Sequence, residues 1–398
     1  MRIGHYAPHI WAPGGIATYV RRLGTAQGNR GYHVVYLSQD AGEAARGASA
    51  IHVDGDADLF RKAEDMNLDV LHLHKPVSTL DGNTTPLVRT MHGHQASCPS
   101  GSRYLARPGC PCDRTPSVPA CLWGRFANRC GSVRPARIVE GFSRLQHEIQ
   151  MAHRMPVVAV STFLRNRMIE AGCPADTVSV IPSPAPVVPS VVPMPQDTPP
   201  RFLFLGRLVP QKGILWLLRA VSEVRSQGAS LHLDVAGDGD LAAQARAFVA
   251  QNGLEDDVTF HGWVGGKHVG SLIESARAVV FPSVWHEPAG LVSLEAAAHG
   301  RALIASRAGG IPEYAREEHA VLVPPNDTDA LAEAMVTLAS DADYSAALGR
   351  QGRALATTTF AMDDFLDRMD TVYTRLLRSN KISGKQPNLP PSPSKTTA

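Results

Sequence analysis

FPSVWHEPAGLVSLEAAAHG, residues 281–300, runs from an apolar stretch through a short loop into a helical pattern that opens near Gly290. A strand that hands over to a helix through a tight loop is half of a βαβ unit. The first backbone N–H groups of such a helix, around Leu291 and Val292, find no partner inside it and carry the positive end of its dipole. Gly290, Leu291 and Val292 are therefore a candidate seat for a diphosphate. Glu287 stands just before the helix and Glu295 eight positions on. One carboxylate would lie beside the seat, accepting hydrogen bonds from a sugar, and the other about two turns in, accepting from ribose. Spacing alone equally allows a capping and a surface glutamate of an ordinary amphipathic helix.

Outward from this stretch, short β-branched runs alternate with helical patterns. The runs at 2–6, 33–37, 70–74, 87–92, 157–161 and 178–182 form one set. Those at 202–205, 231–236, 258–260, 279–282, 302–305 and 321–323 form a second. Helical stripes at 16–27, 214–225, 241–251 and 330–338 fill gaps between them. Alternation at this pace predicts α/β domains with parallel sheets covered on both faces. Between the two sets lies IPSPAPVVPSVVPMPQDTPP, residues 181–200. Proline at that density continues neither helix nor central strand, so the segment reads as a semi-stiff extended linker. The expected organisation is an N-terminal domain over 1–182, a linker over 183–200 and a C-terminal domain over 201–360. A stripe of Phe365, Met369, Val372 and Leu376 predicts a helix over 361–378, and the polar, proline-rich residues 379–398 predict a disordered tail. Two open α/β domains place a ligand cleft between the carboxyl ends of their sheets.

Composition agrees with a soluble globular chain: 398 residues, 44% hydrophobic and 19% charged. A net charge of only +2 gives no global reason to expect nucleic acid as a partner. The amino terminus has no long apolar segment, so the expected location is cytoplasmic, with membrane contact at a surface only.

Three further turns fall where a strand meets the expected cleft. In LGRLVPQKGI, residues 205–214, Arg207 and Lys212 sit on a strand-to-helix loop, where two cations suit a diphosphate in place of a metal. A solvated basic loop is the plainer reading of the same pair. In PHIWAPGGIATYV, residues 8–20, Gly14 and Gly15 let the backbone approach a ligand closely. Neither this loop nor AGDGD at 236–240 is a G-x-G-x-x-G fingerprint, so nicotinamide cofactors are not expected. In TMHGH, residues 90–94, His92 and His94 are placed at the cleft mouth, where a histidine can hydrogen-bond a sugar hydroxyl or stabilise charge near the reacting centre. His94 has a second reading as a member of the nearby cysteine cluster. His72 and His74 read as core-edge residues.

Taken together, GRLVPQKG, HEPAGLVSLEAAAHG, AGGIPE at 308–313, VLVPPND at 321–327, the PGGIATYV loop and the TMHG turn resemble family-4 retaining glycosyltransferases, in the same order along the chain. The resemblance implies a GT-B fold, two Rossmann-like domains facing across a cleft, with a C-terminal helix crossing back to the first domain. It implies a hexosyl group moved from a UDP- or GDP-linked donor to a glycan or lipid-linked acceptor, with retention and without a catalytic metal, in polysaccharide or glycoconjugate biosynthesis. Arg207 and Lys212 would hold the diphosphate, Glu295 the ribose and Glu287 the sugar hydroxyls. Gly14 and Gly15 would close on the donor and His92 would lie near the transferred sugar. Ala289 stands where the family often has phenylalanine.

Two features lie outside that pattern. Cys98, Cys110, Cys112, Cys121 and Cys130 crowd into residues 98–130 with spacing C-x11-C-x-C-x8-C-x8-C. A structural zinc is one reading and reduced thiols packed as small hydrophobes the other, because no C-x2-C pair is present. Residues 99–170 carry 11 Arg and no Lys against one Asp and three Glu. That local excess suggests attraction to an anionic membrane or an acceptor diphosphate. A non-catalytic sugar-nucleotide-binding or cysteine-loop interaction protein is the competing expectation from another class.

Overall fold

The computed structural model describes residues 1–12, 14–40 and 50–383. The first apolar runs form β1 (Arg2–Tyr6), β2 (His33–Ser38), β3 (Ala50–His52), β4 (Val70–Leu73) and β5 (Leu87–Met91). A small antiparallel ribbon, β6 (Tyr104–Leu105) with β7 (Cys110–Pro111), lies within the cysteine segment. With β8 (Val157–Ala159) and β9 (Val178–Val180), the main strands build a parallel sheet ordered β3-β2-β1-β4-β5-β8-β9. The second sheet comprises β10 (Arg201–Leu205), β11 (His232–Ala236), β12 (Val258–Gly262), β13 (Ala278–Phe281), β14 (Ala302–Ser306) and β15 (Val321–Val323). Its order is β12-β11-β10-β13-β14-β15, again parallel. Every residue of β5 and β14 is buried, as strands covered on both faces require.

In each sheet the order reverses beside the first strand, between β1 and β4 and between β10 and β13. Loops leaving the carboxyl ends there splay to opposite sides and open a crevice. Both switch points therefore fall on the loops that carry the candidate residues. The short β3 and the β6–β7 ribbon have too few residues to leave a periodic signal in the sequence.

The linker is pinned to the C-terminal domain. Arg301, 1% exposed, donates to the carbonyls of Val192 and Pro193, and Arg353 donates to that of Val188 at 2.6 Å. The last helix, Met362–Ser383, packs Phe365, Leu366, Met369 and Tyr373 against Ile3, Val20 and Leu23 of the N-terminal domain. Each such side chain contributes about 1.5–3 kcal/mol by leaving water. Arg30 adds contacts to Asp367 at 2.6 Å and Asp370 at 3.1 Å. This helix runs to Ser383 rather than 378, so it takes in the first residues of the expected tail. The rest of the expected tail, 384–398, lies outside the described residues. No helix among the described residues is long and apolar enough to cross a membrane.

Candidate functional site

After β10 the chain passes through Gly206, Arg207 and the short turn Pro210–Lys212 into the helix Ile214–Ser226. Gly213 joins turn and helix at φ 72°, and a Cβ there would stand 1.9 Å from the Pro282 carbonyl oxygen. Glycine is required on both counts. The loop after β10 is thereby laid against the loop after β13. The Val284 amide donates to the Gln211 carbonyl at 3.0 Å, which fastens the two loops together.

This places Lys212 Nζ 2.6 Å from Glu287 Oε1, to which Ser283 Oγ also donates at 2.6 Å. Glu287 is 5% exposed, so its charge is tolerated only because it is paired and hydrogen-bonded. Arg207, on the same loop as Lys212, is exposed. The helix Leu291–Ala298 begins after Gly290 with no side-chain cap, which leaves its first amides for a ligand.

Glu295, on that helix, reaches across to Arg22 of the N-terminal domain at 2.9 Å. Both line a cavity of about 250 Å³ between the domains. Gly15, Tyr19, Leu291 and Val292 form one side of it; Gly206, Gly237 and Trp263 form another. A Cβ on Gly237 would meet the Gly206 carbonyl oxygen at 1.8 Å, so the ends of β10 and β11 approach as closely as two glycines permit. The structure thus brings Gly15, Leu291, Val292 and Glu295 into one cavity. It sets Lys212 and Glu287 as a pair in the adjoining loops, outside the cavity lining, and Gly14 at the start of the helix Gly15–Asn29.

His94 departs from its expected place. It is fully buried, its Nε2 2.7 Å from the His286 carbonyl oxygen, with Trp285 and Phe163 edge-on to its ring. It neither opens onto a cleft mouth nor joins the cysteines, because the two domains close over it. Burial pushes its pKa down to about 3, so it donates to that carbonyl as neutral imidazole.

His92 ends a chain of histidines. Its Nε2 lies 3.2 Å from His74 Nδ1, His74 Nε2 lies 3.0 Å from His5 Nδ1, and His5 Nε2 lies 2.6 Å from Gln27 Oε1. His72 stacks on His74 at 4.2 Å and bonds the Tyr373 hydroxyl and Thr90 Oγ1, both at 2.7 Å. Burial lowers His5 to about 4, His92 to about 3, and His72 and His74 well below the ordinary value. Each ring is therefore neutral, with one donor and one acceptor nitrogen. With Gln27 Oε1 accepting from His5 and Gln27 Nε2 donating to Tyr373 at 3.2 Å, the direction of the chain follows. His5 Nδ1 accepts from His74, His74 Nδ1 accepts from His92 Nε2–H, and His92 Nδ1 is left as an acceptor. His72 and His74 are thus interior network members rather than core-edge residues. Sequence reasoning missed His5, Gln27 and Tyr373. The available signal was the H-x-H alternation of β4 beside a histidine on β1, where His5 pairs in register with His72.

The domains also meet through Glu313, whose carboxylate accepts from the Thr162 and Phe163 amides at 2.7 Å each. A carboxylate at that helix start offsets the dipole of the N-terminal domain's helix Thr162–Glu170. Ser161 Oγ donates to the Pro288 carbonyl at 2.6 Å, one residue after Glu287.

Residues 199–341 match the family described as glycosyl transferases group 1. The matched stretch contains Arg207, Lys212, Glu287 and Glu295. O-antigen chain mannosyltransferase C of Escherichia coli is 33% identical over 181 residues, 45% of this chain and 47% of that protein. An uncharacterized glycosyltransferase of Methanocaldococcus jannaschii is 32% identical over 179 residues, 45% of each. The chain spans about half the length of the curated relatives it matches. Among solved structures, sucrose-phosphate synthase from Thermosynechococcus elongatus superposes with a TM-score of 0.71 at 22% identity, covering 95% of this chain and 99% of that one. HepE of Anabaena, in complex with UDP-glucose, superposes with a TM-score of 0.64 at 17% identity, covering 97% and 100%. The two domains together have the GT-B fold.

Proposed function

We propose that the chain is a retaining glycosyltransferase that needs no catalytic metal and moves a hexosyl group from a UDP- or GDP-linked donor to a glycan or lipid-linked acceptor. One observation carries this reading: an uncapped helix start, a lysine–glutamate pair and a second glutamate meet beside one interdomain cavity at the switch point of the C-terminal domain. In this reading the diphosphate rests on the Leu291 and Val292 amides and draws Lys212 and Arg207 onto its oxygens. Release of Lys212 from Glu287 frees that carboxylate to accept from the sugar hydroxyls, while Glu295 accepts from ribose. The acceptor hydroxyl attacks on the face from which the nucleotide departs and passes its proton to the leaving phosphate. Cations on that phosphate stabilise the charge-separated state more than the ground state. His92 Nδ1 accepts from a hydroxyl of the transferred sugar.

The experiment is a melting-temperature screen against UDP- and GDP-sugars, followed by turnover with the donor that binds. A donor at 100 times its Kd stabilises by about 2.7 kcal/mol. Glu295→Ala is expected to remove most of that shift. Turnover should continue in excess chelator, with the anomeric configuration of the donor kept in the product. Binding without hydrolysis or transfer would favour the non-catalytic sugar-nucleotide binder, and no shift with any donor would refute the reading.

The lipid-linked side of the proposal rests on the cysteine segment and the helix after it. Trp123 is 66% exposed, Phe126 63% and Val139 65%, in the same stretch as the arginine excess. Aromatic and aliphatic side chains among cations suit the surface of an anionic bilayer. Trp123→Ser with Phe126→Ser is expected to lower co-sedimentation with phosphatidylglycerol vesicles at least threefold; unchanged sedimentation would refute membrane contact through this face.

A further inference from the structure

Four of the five clustered cysteines converge. Cys98, Cys112, Cys121 and Cys130 line one small cavity, whereas Cys110 sits in β7 opposite Leu105 and stays outside it. The four arrive from separate stretches of chain. Cys121 lies on the helix Val118–Asn128, and Cys130 is turned back by Arg129 in the left-handed region, its amide donating to the Gly124 carbonyl.

The same cavity is lined by Arg103, 2% exposed, Arg125, 3% exposed, and the half-buried Arg114. Their partners are backbone carbonyls: Arg103 donates to Cys112 at 3.0 Å and Arg114 at 3.3 Å, and Arg125 to Ser132 at 2.7 Å and Pro99 at 3.2 Å. Arg103 Nε and Arg114 Nη1 are buried without a hydrogen-bond partner. Among the described residues, none of the three forms an ion pair with a carboxylate. Buried cations without counter-charge are costly. Four neutral thiols supply none, but four thiolates around a metal centre leave a net negative charge there.

The spacing selects the kind of centre. A zinc ion binds sulfur at about 2.3 Å, which holds its four sulfurs within about 4 Å of one another. Among the described residues, the one trio of ligand atoms all within 4.8 Å of one another belongs to His5, His72 and His74. The nitrogens of that trio are already engaged by Gln27, Tyr373, Thr90, His92 and each other. No three cysteine sulfurs stand so close. An iron–sulfur cluster inserts a core of iron and sulfide between its four cysteine ligands and so accepts a wider set.

We propose that Cys98, Cys112, Cys121 and Cys130 ligate an iron–sulfur cluster, with Arg103, Arg114 and Arg125 as its counter-ions. Its role is structural. The segment it ties together also braces the Glu287 loop: Ser102 accepts from Trp285 Nε1, and Asp113 lies 2.8 Å from His286 Nε2.

The test is iron and acid-labile sulfide analysis of the full chain, produced with ample iron and purified without oxygen. Iron and sulfide are expected in equal amounts, with a broad visible absorption that fades in air. Cys112→Ser and Cys121→Ser should each lose both, while Cys110→Ser and Cys173→Ala keep both. A folded wild-type chain holding one zinc, or holding no metal with all of these thiols open to alkylation, overturns the assignment. Because wild type and Cys110→Ser decide the matter alone, misfolding of a ligand variant leaves the answer intact.

Discussion

Lys212→Ala is expected to lower turnover of the proposed transfer by about 10²–10³-fold, the loss seen when one preorganised donor to a developing charge is removed. The same substitution strips Glu287 of its partner. That carboxylate is 5% exposed and would keep only the Ser283 hydroxyl, so stability should also fall, by about 3 kcal/mol. The two effects separate in the double variant Lys212→Ala with Glu287→Gln. Glutamine carries no charge to strand and retains an oxygen for Ser283, so the melting temperature should recover while turnover does not. Steady-state kinetics and thermal melts on the single and double variants read both quantities. Turnover within threefold of wild type in Lys212→Ala would reduce the lysine to a structural counter-ion.

The pairing also shows where sequence reasoning reached and where it stopped. Glu287 and Lys212 were legible because each lies at the end of a strand in an alternating pattern, and strand ends at a switch point meet by topology. Their direct contact was not legible, since it depends on Gly213 lying against Pro282 and on Gln211 bonding the opposite loop. β15 was readable to the residue, because the apolar run Val321–Val323 is closed by Pro324 and Pro325. β3, with three residues, and the β6–β7 ribbon carry no such period. The Phe365–Leu376 stripe announced a helix with a buried face but not its partner, and the Tyr373 contact to His72 spans 301 positions. Arg22 meeting Glu295 is likewise a product of how the domains close. Periodicity reports which face is buried; only the fold decides against what.

Acid is expected to unfold the chain steeply between pH 6.5 and pH 4, and the buried histidines are the reason. His5 and His72 are 0% exposed and His74 2%, and burial holds all three below the ordinary histidine value, His5 at about 4. In the unfolded chain each titrates near 6.5. A depressed folded pKa means the unfolded state binds more protons in that window, so stability is fully present above about pH 6.5 and lost as pH falls toward 4. Each histidine contributes up to about 1.4 kcal/mol per pH unit, and the three together up to about 4, against a total stability of about 5–15 kcal/mol. Thermal melts from pH 7.5 to 4.5 read the slope. His72→Gln, which keeps a donor and an acceptor for Thr90 and Tyr373 but cannot charge in this range, should flatten it by one proton. A melting temperature that stays level from pH 7 to pH 5 would mean these rings take up protons without opening the domain. Because the chain of rings fixes the free acceptor on His92, its collapse removes that acceptor at the same pH. The acid limb of activity should therefore follow the unfolding curve and not the titration of His92 alone.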